Sequence, residues 1–261
     1  MTNTYQMIVV SCDEGVCRIT LNRPEKRNAL HPKMIEELTA AVTSLPADTR
    51  MLILEGRGKA FCAGADLAYL RRLAEFSYEE NVQDSAALMR LYRALYQLPC
   101  LVVSKVHGPA LGGGMGFLLV SDFVFAAADA KLGFPEVRIG FVPALVSVFL
   151  LKKVSEGTAR HLLLSGEIFS ARQGKAYGLV TEVMDDVPAL EARVNQFVAE
   201  TLAGVSPQSV THTRRLLQQM DEDRLDAALE RAVIANARAR ETHDFKQGLE
   251  AFLRKEKIRW T

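Results

Sequence analysis

The stretch ALGGGMG at residues 110–116 stands between two apolar runs, LVVSKV at 101–106 and FLLVSDF at 117–123. Glycine inside a regular element costs about 0.5–1 kcal/mol against alanine. Four glycines in seven residues therefore need a backbone reason: positive φ, or a neighbour too close to admit a Cβ. The flanking runs make the stretch a strand-to-helix turn, and the same grammar recurs along the chain.

Residues 5–11 and 16–21 read as a β-hairpin around Asp13, Glu14 and Gly15. Pro32 opens a helix whose apolar positions, Met34, Ile35, Leu38, Ala41, Val42 and Leu45, recur at spacings of three and four, and Pro46 closes it. MLILE at 51–55, LVVSKV at 101–106 and FVFAAA at 123–128 are short buried strands, with helical segments expected at about 66–98 and 114–121. Strand, glycine-rich loop and helix in rotation predict an α/β fold with largely parallel pairing, in which ligands collect at strand ends. Beyond residue 185 the β signal stops. ALEARVNQFVAETL, SPQSVTHTRRLLQQM and the span from Arg224 to Lys257 read as helices, with Ser206 as N-cap and Pro207 in the first turn. This predicts a core over 1–195 and a helical region over 196–261.

With 261 residues and 49% hydrophobic content the chain can build a large packed core. Its 32 basic and 31 acidic residues give no global drive toward nucleic acid or anionic membrane. No secretory signal and no membrane span are expected, which points to the cytoplasm. Cys12, Cys17, Cys62 and Cys100 lack metal-ligand spacing, so reduced thiols are expected. The five histidines form no i, i+4 pair, and neither a metal site nor a charge-relay triad is proposed.

GRGKAFCAG at 56–64 lacks the Gly-Lys-Ser/Thr ending of a phosphate loop, and neither glycine-rich turn matches the dinucleotide frame. Both share a strand, small residues and a helix start, which leaves free N–H groups at a helix N-terminus. Two such ends facing each other would grip one oxygen as an oxyanion hole. The competing reading is that the glycines only permit tight helix-to-sheet packing. Asp66 suits an N-cap, Asp122 a structural acid and Cys62 a small buried spacer.

Six segments carry a resemblance. LNRPEKRNAL (21–30), KAFCAGADL (59–67), HGPALGGGMGFLLVSD (107–122), LGFPEVRIGFVP (132–143), ARQGKAYGLVTEV (171–183) and GLEAFLRK (248–255) together resemble the crotonase (enoyl-CoA hydratase/isomerase) superfamily. The resemblance implies a spiral of ββα turns with a trailing helical region for oligomerisation and CoA cover, assembled as trimers or hexamers. It implies that the N–H groups of Ala65 and Gly113 polarise an acyl-CoA thioester carbonyl, within a binding segment of Ala63, Gly64, Ala65, Asp66, Leu67, Gly112 and Gly113. Glu136 would move the proton, once burial raised its pKa. No separate cofactor is implied, since coenzyme A is part of the substrate. Lys26, Arg27, Lys59 and Lys255 are candidates for its phosphates.

The departure is Gly116, where typical hydratases of that family carry a second glutamate. Glu75, Glu79, Glu80 or Asp84 could supply a substitute carboxylate. Reversible hydration of a 2-enoyl-CoA, of branched-chain or methylglutaconyl type or otherwise, in fatty acid metabolism is the leading expectation. A Δ3,Δ2-enoyl-CoA isomerase and a non-catalytic acyl-CoA binder are the alternatives.

Overall fold

The computed structural model describes residues 5–220, 222–256, 258 and 260. β1 (Ile8–Asp13) and β2 (Val16–Leu21) form the expected hairpin, with Glu14 and Gly15 at positive φ in a two-residue turn. That turn sets a register placing Cys12 opposite Cys17, and the two form a disulfide. The expectation of four reduced thiols is therefore corrected at this pair. Residues flanking a tight turn at equal distance land directly opposed, within reach of a bridge. Cys62 and Cys100 remain free and buried.

A 3-10 turn (Pro24–Lys26) leads to α1 (Pro32–Thr43), capped by His31, and then to β3 (Met51–Gly56). The helical stretch expected over 66–98 is two helices, α2 (Leu67–Leu73) and α3 (Tyr78–Gln97). Ser77 and Glu80 build a capping box that restarts the helix. β4 (Leu101–Val106), β5 (Ala110–Leu111), α4 (Gly113–Val120), β6 (Phe123–Ala127) and β7 (Lys131–Gly133) follow. A second 3-10 turn (Pro135–Ile139) precedes α5 (Ala144–Leu150), α6 (Glu156–Ser165), β8 (Ile168–Ser170), α7 (Ala171–Ala176) and β9 (Glu182–Met184). The chain then becomes helical: α8 (Val187–Gly204), α9 (Pro207–Gln219), α10 (Glu222–Glu241) and α11 (His243–Arg254). α8 runs unbroken through residues 195 and 196, where the sequence reading divides core from appendage. Ser206 caps α9 with Pro207 in its first turn, and Lys257, the expected end of the last helix, lies outside the described residues.

The strands form two sheets. The larger has the order β1-β2-β3-β4-β6-β9, antiparallel only at the hairpin, and the smaller the order β5-β7-β8. The chain steps from large to small sheet and then into a helix, as β4-β5-α4, and steps again from β6 to β7. An isolated bridge between Cys62 and Ala110 extends the smaller sheet to the loop after β3. The result is a spiral of strand, strand and helix, with loops stacked at the ends of parallel strands.

The helical region folds back on its own chain. α10 packs against α3 and α5, and α11 against α2 and the second 3-10 turn. A methyl group on Gly248 would stand 2.2 Å from the Ile139 carbonyl oxygen, so α11 lies backbone to backbone on that turn. α9 is pinned by Arg214, which is 8% exposed, donates to the Leu98 and Tyr96 carbonyls and pairs with Asp122. Asp122 also accepts from the Val102 N–H at 2.7 Å, the structural duty expected of it. Arg214→Met strands the Asp122 carboxylate and is expected to cost about 3 kcal/mol in urea unfolding. Pairing it with Asp122→Asn should recover part of that loss, and full additivity of the two changes would contradict the coupling.

Candidate active site

Two turns lie side by side at the ends of β3 and β4. Cys62 N–H donates to the Pro109 carbonyl, and Leu111 N–H to the Cys62 carbonyl at 3.0 Å. A methyl on Gly114 would fall 2.3 Å from the Cys62 carbonyl oxygen, so glycine is what lets the turns touch. The segment 21–30 clasps the first turn from outside. Ala63 N–H donates to Arg27, Leu30 N–H to Gly64 and Asp66 N–H to Leu30, all through backbone carbonyls. Asn28, fully buried in left-handed backbone, accepts from Arg23 N–H and donates to the Arg57 and Ala60 carbonyls.

Asp66 caps α2 through the N–H groups of Ala68 and Tyr69, and Arg23 holds its other oxygen at 2.6 Å. Burial alone would raise this carboxyl's pKa, but the Tyr69 N–H and Arg23 bonds outweigh it and keep it below the ordinary aspartate value. Asp66 is therefore a fixed anion. Cys62 is the inert spacer expected, since burial pushes its thiol up to about 12.

Among the described residues, no protein group accepts from the N–H of Ala65 or of Gly113. Ala65 is exposed, Gly113 is half-buried, and Gly113 is the first residue of α4, where the N–H has no intrahelical acceptor. Gly112 adopts φ 51° and ψ −122°, a conformation that side-chain-bearing residues avoid. A methyl there would also meet Glu136 Oε1 at 3.0 Å. The second 3-10 turn thus delivers the Glu136 carboxyl onto the glycine turn. Its Oε2 is buried without a hydrogen-bond partner. Burial pushes this carboxyl up to about 7, against a small opposing pull from its own N–H.

The remaining predicted residues divide. Ala63, Gly64 and Leu67 belong to the first turn and the start of α2. Lys26, Arg27 and Lys59 are exposed, with Lys26 and Arg27 in the segment that clasps that turn. Lys255 is exposed at the C-terminus of α11, in left-handed backbone. None of these four cations is ion-paired among the described residues. Of the substitute carboxylates, Asp84 accepts from Tyr69 Oη at 2.6 Å and pairs with Arg240 at 2.8 Å, and Glu80 closes the capping box. Glu75 and Glu79 are exposed.

The sequence reading missed Arg23, Asn28 and Tyr92. The first two carry a signal, since both lie in LNRPEKRNAL. Tyr92, in the C-terminal half of α3, carries none. Its ring fills the space beside Gly116 and its hydroxyl donates to the Gly113 carbonyl at 2.5 Å.

This geometry accompanies a clear kinship. The profile of the family described as enoyl-CoA hydratase/isomerase matches residues 11–261. The chain belongs to the enoyl-CoA hydratase/isomerase family. A Thermus thermophilus protein with the provisional description of an enoyl-CoA hydratase is 44% identical over 250 residues, covering 95% of this chain and 98% of that one. The 2,3-dehydroadipyl-CoA hydratase of Escherichia coli is 31% identical, covering 95% and 96%. The crystal structure of an enoyl-CoA hydratase from Mycobacterium avium superposes with a TM-score of 0.86 at 30% identity, covering 98% and 99%. The spiral is thus the crotonase fold, and this family member is an enzyme.

Asn28→Ala leaves the Arg57 and Ala60 carbonyls and the Arg23 N–H without partners. It is expected to lower stability by about 2–4 kcal/mol in chemical unfolding. A loss under about 0.5 kcal/mol would show that the clasp does not hold the turn.

Proposed function

We propose that this enzyme adds water reversibly to a 2-enoyl-CoA thioester. The observation that carries the proposal is the buried, proton-poised Glu136 carboxyl lying against a glycine turn whose Gly113 N–H is free. The thioester oxygen accepts from the N–H groups of Ala65 and Gly113. As water attacks C3, the Glu136 carboxylate takes one of its protons. The electron pair of the C2–C3 bond moves toward the thioester, and charge collects on its oxygen as an enolate. Glu136 then returns the proton to C2, and the sum is one added water. Removing one oxyanion-hole donor costs roughly 2.7–4 kcal/mol of transition-state stabilisation where that has been measured on a side-chain donor.

A second reading has a specific observation behind it. With no side chain at Gly116, one carboxylate serves the site, and a single base could instead carry a proton from C2 to C4 of a 3-enoyl thioester. Purified enzyme offered 2-enoyl and 3-enoyl thioesters separates the two. Hydroxyacyl product from the first supports hydration, and double-bond migration without it overturns that reading.

Several finer features belong to the same proposal. Lys26, Arg27, Lys59 and Lys255 are read as ligands of the CoA phosphates, with α11 as cover and no further cofactor. Exposed Leu216 and Leu217 near the end of α9, with exposed Met220 at its C-cap, support assembly into homotrimers or hexamers. We place the enzyme in the cytoplasm and its reaction in fatty acid metabolism. No described helix is long and apolar enough to cross a membrane.

Glu136→Gln should abolish turnover while acyl-CoA still binds in calorimetry, and retained activity would remove Glu136 from the chemistry. In the wild type, log kcat/KM should rise with pH and level off above about 7, because hydration starts from the carboxylate. The stability effect has the opposite sign. Burial favours the protonated form, so the folded state loses stability as pH rises from the unfolded value toward about 7. Glu136→Gln should therefore raise Tm at pH 8 and leave it nearly unchanged at pH 4, where both states are protonated. An unchanged Tm at both would show that the carboxyl is solvated.

A further inference from the structure

We infer that Tyr92 is a positioning residue for this reaction: its hydroxyl braces the glycine turn that presents the Gly113 N–H, and its ring occupies the space a second carboxylate at position 116 would need. The inference rests on the reading of Gly113 as a donor to the thioester oxygen.

Gly112, Gly113 and Gly114 have no side chains to hold them, and three successive glycines leave the backbone a wide conformational range. External partners must define the turn. Gly112 N–H donates to the Gly133 carbonyl at 2.9 Å, and the Gly112 carbonyl accepts from Met115 N–H at 2.9 Å. The Gly113 carbonyl accepts from Tyr92 Oη at 2.5 Å. Among the described residues, Tyr92 is the one side chain that hydrogen-bonds this triplet. Its bond holds the peptide immediately after the proposed donor, while the donor's own peptide plane is held by the Met115 N–H on the Gly112 carbonyl, so the two bonds together brace the turn on both sides of Gly113.

The tyrosine is itself immobilised. It is fully buried, and its ring meets Phe117 and Phe149 edge-on at centroid distances of 5.8 and 6.3 Å. A methyl on Gly116 would stand 2.3 Å from Tyr92 Cζ and 2.5 Å from Oη, so even alanine there forces the phenol away. The missing carboxylate and the tyrosine are thus one arrangement. Burial first, and then the proximity of Cys62 and Glu136, keep the phenol protonated throughout the working pH range. Tyr92 therefore donates a hydrogen bond continuously and does not shuttle protons.

The test is Tyr92→Phe, which keeps the ring and its packing and deletes the bond. kcat with a 2-enoyl-CoA should fall about tenfold or more while KM changes less than about threefold, since the bond acts on the charge-bearing transition state. Bound acetoacetyl-CoA gives a readout that packing alone would not move. Its enolate absorbs in the near ultraviolet, and the pH at which the band appears should rise by about one unit. Gly116→Ala, which displaces the same hydroxyl, should give the same signature, and the double variant should lose little more than either single change. A Tyr92→Phe enzyme with wild-type kcat and an unshifted enolate band overturns the inference and leaves the hydratase reading intact. A wild-type enzyme that neither hydrates enoyl thioesters nor ionises acetoacetyl-CoA overturns the Gly113 reading, and the inference falls with it.

Discussion

Two backbone N–H groups, on Ala65 and Gly113, have no protein acceptor among the described residues. The half-buried Gly113 amide is costly to leave unpaired, so the surrounding structure has to hold its turn in place. The enforcement is lateral. The turns after β3 and β4 exchange backbone hydrogen bonds through Cys62, Pro109 and Leu111, which fixes one against the other. Gly114 permits that approach because nothing larger fits against the Cys62 carbonyl. The outer clasp of residues 21–30, with Asn28 at its buried centre, holds the first turn, while Tyr92 and Gly133 hold the second.

Electrostatics follows from the same packing. Glu136 comes in on a short turn whose far side is covered by α11, through the glycine contact at Gly248. Dry surroundings destabilise its charged form, and no neighbouring cation offsets the burial. Asp66, the residue next to the free Ala65 amide, has the opposite fate: two helix N–H groups and Arg23 hold it ionised. One carboxyl is poised to exchange a proton and the other is locked, and the difference lies in hydrogen-bond partners rather than residue type.

Much of this was legible in the chain because its signals are local. Pro32, the Ser206-Pro207 pair and Asp66 act within one helical turn of themselves, and the glycine cluster advertises a backbone constraint whatever causes it. What was illegible depends on tertiary contacts. Tyr92 gains its meaning from Gly113 and Gly116, more than twenty residues away in sequence, and nothing in α3 marks it. The fate of Asp84 is set by Arg240 on α10. The break between α2 and α3 was local, in Ser77 and Glu80, and helical propensity on both sides hid it. Cys12 and Cys17 failed differently. Their pairing depends on the exact hairpin register, which sets them directly opposite each other across the turn.

Catalysis at this site requires the thioester oxygen to meet both amides at once, and a crystal structure of the enzyme with bound acetoacetyl-CoA tests that directly. That oxygen should lie within about 2.7–3.1 Å of the N atoms of both Ala65 and Gly113, with the Glu136 carboxyl facing the adjacent carbons. A thioester oxygen bonded elsewhere, or a turn that rotates the Gly113 N–H away on binding, would contradict it.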